Sequence, residues 1–178
     1  MIKTDLKTPG VFEKMYTDIG NRLNMLVAAN GSQIIKTIDL WNNQWGNLST
    51  EKPFEFPSVF IEFNSIPWRS IGGNIQMGEA VVKLHIGSKT NATSRHRHEQ
   101  SAEFLKHLRT IDALHLVLRG WGQETGYMSA WSRIDSQHDH DHDDIIAHVE
   151  TYKFTVKDYS ACSAYTKLTG DKFVLEVE

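Results

Sequence analysis

The densest collection of chemically versatile side chains lies in one stretch, His138-Asp-His-Asp-His-Asp-Asp144. On an extended backbone, residues two apart point the same way. His138, His140 and His142 then share one face, and Asp139, Asp141 and Asp143 the other. Three imidazoles suit zinc, nickel or copper, so one reading is a small metal-binding protein or a metal-dependent hydrolase. Geometry opposes it, because alternate strand positions lie roughly 6.5–7 Å apart while zinc–nitrogen bonds measure ~2.0–2.1 Å. The segment would have to curl to bring its ligands together. The competing reading is a solvated hairpin turn whose composition is locally biased. A pH-sensing role follows from the same side chains, since histidine titrates near about pH 6.5, but nothing else in the sequence points to it.

A second cluster, Arg95-His-Arg-His98, joins Lys89 in a small positive patch ahead of a helix. It reads as a contact for an acidic partner or phosphate, or as a solvated loop of mixed charge. Nucleophilic catalysis has no good candidate. Cys162 sits in Ser-Ala-Cys-Ser-Ala, without a glycine-rich elbow or helix start to lower its pKa. No G-x-S-x-G, P-loop or dinucleotide fingerprint occurs. The Gly72-Gly73 pair reads as a turn, and Asp143-Asp144 as adjacent surface acids. The expectation is a protein that is not an enzyme, with no cofactor.

The elements that must position these residues follow from periodicity. Thr8-Pro9 reads as an N-cap with proline at the first helical position. Val11, Phe12, Met15, Tyr16, Ile19, Leu23, Leu26 and Val27 then recur at helical spacing, and Asn30-Gly31 supplies a helix end. A strand over 34–41 and a polar loop follow. Pro57 opens a second strand, with Val59, Ile61 and Phe63 on one face and Phe60 and Glu62 on the other. A loop containing Trp68, Gly72 and Gly73 leads to the cleanest alternation in the chain, Ala80, Val82, Leu84 and Ile86 against Val81, Lys83, His85 and Gly87. Ala102, Leu105 and Leu108 give helical spacing with Phe104. Thr110 reads as the cap of a second short helix carrying Ile111, Leu114, Val117 and Leu118, closed by Gly120. Extended stretches over 127–136 and 145–157 make a hairpin, with Ile146, His148, Tyr152, Phe154 and Val156 on one face. The expectation is an α+β fold. An antiparallel or mixed β-sheet carries an N-terminal helix and one or two further helices packed on one face.

The 178 residues suit a single domain, 1–178, with a core over about 9–158 and an extension of uncertain structure over 159–178. The formal net charge is -3, which excludes a global positive field for nucleic acid. One cysteine rules out an intrachain disulfide and Cys-rich zinc sites. Residues 1–10 lack the apolar core of a secretory signal, and no run approaches the ~20 apolar residues of a membrane span. Trp68, Trp121 and Trp131 fall near loops, where tryptophan either anchors interfaces or plugs the ends of cores.

Several phrases together resemble bacteriophage tail terminator proteins, also called tail completion or minor tail proteins. They are Phe56-Pro-Ser-Val-Phe-Ile-Glu-Phe63, then Trp68, then Gln76-Met-Gly-Glu-Ala-Val-Val-Lys-Leu-His-Ile86, then Leu114 to Trp121, and the hairpin end Val149-Glu-Thr-Tyr-Lys-Phe154. The resemblance covers roughly residues 11–159 and is one of spacing and residue type, without an invariant motif. The His/Asp-rich hairpin and the segment after Tyr159 depart from it. It implies an α+β subunit that forms a homo-oligomeric ring, commonly a hexamer, on the tail tube protein and faces the head–tail connector protein. It further implies no cofactor, no catalytic residue, no membrane and no sequence-specific nucleic acid. The location implied is the bacterial cytoplasm during assembly and the virion tail afterwards. A head–tail joining (neck) protein would present the same features. For the partner-facing surface, the expectation is Trp68, Arg69, Arg95, Arg97 and Trp121.

Overall fold

Helix α1 (Val11–Leu23) buries Met15, Ile19 and Leu23 on one stripe, the spacing that helical periodicity demands. The computed structural model to which it belongs describes residues 9–47, 54–89, 101–139 and 145–160. The helix is capped by Gly10, whose carbonyl accepts from the Lys14 amide at 3.0 Å. Pro9 therefore lies outside the helix, and Thr8 lies outside the described residues. The helix also ends earlier than the apolar pattern suggests. Leu26 is buried but Val27 is exposed in a bridge to Gln33. Gly31, at φ 78°, makes the tight return between them, with its amide donating to the Ala28 carbonyl at 2.8 Å. A left-handed glycine served a turn here rather than a helix end.

The fold is α+β, built on a mixed six-stranded sheet in the order β1-β2-β4-β6-β5, with β3 pairing with β4 beside that path. Strand β1 (Thr37–Leu40) runs parallel to β2 (Ser58–Phe63), and every other pair is antiparallel. β4 (Ile75–Lys89) and β6 (Ile145–Asp158) form the spine, paired from Gln76 opposite Asp158 to Lys89 opposite Ile145. The stretch expected as a loop around Trp68 contains a strand, β3 (Trp68–Gly72), which turns through Gly72, Gly73 and Asn74 into β4. Four of its five residues are exposed, so it lacks the apolar alternation that marks a half-buried strand. β5 (Ser132–Asp139) closes the far edge against β6.

One face of the sheet carries both helices. Val59, Ile61, Ala80, Val82, Leu84, Ile86, Tyr152, Phe154 and Val156 meet the stripes of α1 and α2 in the main core. α2 (Ser101–Leu118) is one continuous helix. Thr110 does not cap a second helix. It lies buried mid-helix, and its hydroxyl donates to the Lys106 carbonyl at 2.9 Å, the back-bond by which an interior threonine is satisfied. The helix ends before Gly120, at φ 72°. Arg22 ties the helices together, its Nε donating to the Val117 carbonyl at 2.8 Å. On the opposite face, Trp45, Phe60, Ile145 and Ala147 form a smaller core with Trp41, Phe54 and Phe56 packed against it.

Candidate functional site

The helix face of the sheet changes character toward the end of β4 and the start of β6. Even-numbered residues of β6 point at α2, so after Val156, Phe154 and Tyr152 the same row continues with Glu150 and His148. β5 lays Ser136 opposite Glu150 and His138 opposite His148. α2 places His107 above this row on the stripe that continues as Ile111, Leu114 and Leu118. A polar cluster thus lies under the N-terminal half of α2, where an apolar core would be expected.

Glu150 is its anchor, 1% exposed. The Ser136 hydroxyl donates to Glu150 Oε1 at 2.7 Å, and Arg133 Nη1 donates to Oε2 at 3.3 Å. His148 Nε2 lies 2.9 Å from Oε1. Burial pushes the Glu150 carboxyl up, but the hydrogen bonds from His148 and Ser136 and the charge of Arg133 outweigh it and hold the group below its ordinary value. The carboxylate is therefore ionised and only accepts, which requires the His148 proton to sit on Nε2. The bare Nδ1 of His148 then faces His138 Nδ1 at 3.4 Å, the two rings nearly perpendicular at 88°.

His107 is 1% exposed, with Nδ1 at 2.8 Å from the Ser88 hydroxyl and Nε2 without a hydrogen-bond partner. Burial, reinforced by the neighbouring His148 and His138, lowers its pKa to about 4. The ring is neutral at physiological pH. Two turns further along α2, His115 Nδ1 lies 3.3 Å from the Tyr152 hydroxyl. Burial and then the Glu150 charge raise the Tyr152 pKa, so that hydroxyl keeps its proton and donates it.

A second polar group sits on the other face. His85 stacks on Trp41 with centroids 4.0 Å apart and rings 5° from parallel, and its Nε2 lies 2.7 Å from Glu62 Oε2. Burial lowers the His85 pKa despite the carboxylate, which acts to raise it. The contact is accordingly a hydrogen bond from a neutral imidazole rather than a charged pair. Its Nδ1 is buried without a partner.

Both clusters contain a histidine–carboxylate pair, the arrangement that orients a general base. Ser136 is engaged by Glu150, however, and Trp41 covers the His85 ring, so neither pair presents a base to a seated nucleophile. Among the described residues, no group of three or more His, Cys, Asp or Glu is arranged to hold a metal ion. The expected set of His138, His140 and His142 cannot be followed as a set, because His140 and His142 lie outside the described residues, as do Arg95, Arg97, His96, His98 and Cys162. His138 instead meets His148. The antiparallel pairing of β5 with β6 brings residues 138 and 148 opposite each other, and the expectation of a hairpin from two consecutive strands is the signal in the sequence that would have paired them.

Trp121 is not on a partner-facing surface. It is 6% exposed, packed on Trp131 at 5.3 Å with the Arg22 guanidinium 5.8 Å from its ring. It plugs the end of the core beneath the loop after α2. Trp68 is half-buried against the main core and Arg69 is exposed on β3. No helix among the described residues is long and apolar enough to cross a membrane. No protein-family model matches the chain, and no curated protein matches it.

Proposed function

We propose that this protein is a structural assembly subunit of the tail-terminator kind, a ring-forming homo-oligomer that caps a phage tail tube and meets the head-side connector. The observation that carries the reading is a single mixed sheet ending in two unlike edges, β1 and β5. Rings are built from heterologous contacts, in which one patch of a subunit meets a different patch of the next and closure limits growth. A sheet with a short parallel edge at one end and a longer antiparallel edge at the other supplies two such patches.

The β5 edge is suited to selective contact. Seven of its eight residues are exposed, and Ile134 is 54% exposed at a bulge between Arg133 and Asp135. Bulges and edge charges discourage indiscriminate strand addition, so Ile134 is left as an apolar anchor within a charged frame. Leu116, 77% exposed on the outer side of α2, adds a second apolar contact. The test is sedimentation velocity over a concentration series with the natural chain and Ile134→Lys. The natural chain is expected to populate a species of about six copies, and the variant to shift toward monomer while keeping its circular dichroism. A natural chain that stays monomeric throughout contradicts the reading.

A further inference from the structure

We propose that His138 and His148 form a cross-strand chelating pair for a borderline-soft divalent cation such as zinc, with Glu150 fixing the imidazole behind it. This does not depend on the ring reading, although His138 lies on the same β5 edge. The two histidines occupy directly opposed positions on β5 and β6, and their Nδ1 atoms are 3.4 Å apart. Two zinc–nitrogen bonds of ~2.05 Å at a tetrahedral angle separate their nitrogens by about 3.3 Å. The strand register thus sets the bite of a two-imidazole chelate, and seating a cation requires ring rotation but no change in pairing.

Three features around the pair suit a metal ligand set. His148 Nε2 donates a hydrogen bond to the buried Glu150 carboxylate at 2.9 Å, the carboxylate–histidine arrangement that fixes the tautomer and raises ligand basicity. Its Nδ1 lone pair is thereby aimed out of the protein toward His138. His138 is exposed at the sheet edge, so a hydrated cation reaches the pair from solvent. His107, close enough to both rings for their charge to depress its own protonation, has a buried Nε2 without a hydrogen-bond partner.

The step is a ligand exchange. The contact between the two Nδ1 atoms gives way to two metal–nitrogen bonds, and the proton on His138 Nδ1 is replaced by one on its Nε2, leaving both rings neutral. Water completes the coordination, so the site is weaker than a structural zinc centre with four protein ligands. It differs from a chelate made along one strand by His138, His140 and His142, because His148 is indispensable and His140 and His142 are not.

The experiment is calorimetric titration of zinc chloride into the full chain at neutral pH. Four proteins are compared: the natural chain, His138→Ala, His148→Ala and the double variant His140→Ala/His142→Ala. The expected result is one zinc per chain, retained within about twofold in the double variant and weakened by about tenfold or more in each of the other two. His148 is buried and its variant needs a circular dichroism check, so the exposed His138→Ala carries the decision. Zinc binding that survives His138→Ala, binding that disappears in the double variant, or no saturable binding by the natural chain overturns the proposal.

Discussion

Lowering the pH from 7 to 5 presses a proton onto the His107 ring, which is buried between α2 and the sheet. The groups that face it are Ser88 on β4, His148 on β6 and His138 on β5. The serine is neutral, and both histidines act against a charge on the His107 ring. Glu150, beyond His148, is the nearby anion. The folded pKa is about 4 against an ordinary 6.5, so the unfolded chain binds the proton first. Stability from this group is complete above about pH 6.5, falls as pH drops, and levels off below about pH 4. At pH 5 the linkage amounts to about 2 kcal/mol for this ring alone, taking ~1.36 kcal/mol per pKa unit. Glu150 does not interfere, because a depressed carboxylate loses its contribution only below its unfolded value of 4.5. His85 and His115 are also held below their ordinary values, and their contribution cancels in a comparison of two proteins that share them. Urea unfolding of the natural chain and His107→Leu at pH 7 and pH 5 is the assay. The variant is expected to lose about 2 kcal/mol less than the natural chain over that interval. Equal losses in the two proteins would refute the assignment of a neutral, charge-intolerant His107.

Other expectations test the packing and the edge. Trp121→Ala removes a core ring and is expected to cost about 3–5 kcal/mol in chemical denaturation, whereas an exposed contact residue would leave stability nearly unchanged. A Cβ on Gly78 would lie 2.5 Å from Ile66 Cγ2 and 3.0 Å from Trp68 Cε3. Gly78→Ala should therefore destabilise by about 1–3 kcal/mol in the same assay, as overpacking does. Arg69→Glu places a like charge near Glu79 on an exposed hairpin. If that hairpin faces a partner, the oligomer mass falls while the thermal transition changes little, and an unchanged mass assigns the hairpin to solvent.

How far the sequence disclosed this arrangement depends on whether the signal is local. The alternation of Ala80, Val82, Leu84 and Ile86 marks a strand half-buried on one face, and that strand is the spine. The first helix was equally legible in its buried stripe. Its end was not, because Leu26 and Val27 keep the apolar rhythm after the backbone has left the helix. Thr110 misled because threonine favours caps, and its back-bond to Lys106 is invisible without the helix in place. β3 was missed because a strand exposed along most of its length has no period. The parallel pairing of β1 with β2 depends on a contact across the intervening loop, for which local pattern carries no information.

The candidate site shows the same division. The His/Asp run drew attention to His138, but the residues that give it meaning lie on other strands and on α2. His107 continues the apolar stripe of Ile111, Leu114 and Leu118, and extending that stripe by one turn would have marked it as buried. Glu150 carries no signal of its own in the sequence, because Ser136, Arg133 and His148 converge on it only through the pairing of β5 with β6. Trp121 falls between two glycines in sequence and looked exposed, yet Gly120 and Gly122 bend the chain so that the ring returns to the core. The φ of 120° at Gly122 and the approach of the Ser129 carbonyl, which a side chain would strike, make that bend specific to glycine.

The most direct test of the assembly reading is negative-stain electron microscopy of the purified chain at the concentration where sedimentation shows its largest species. Closed rings with a central opening and rotational symmetry are expected, each subunit meeting its neighbours through unlike faces. Isolated single chains, or two-fold dimers joined through identical faces, would contradict it.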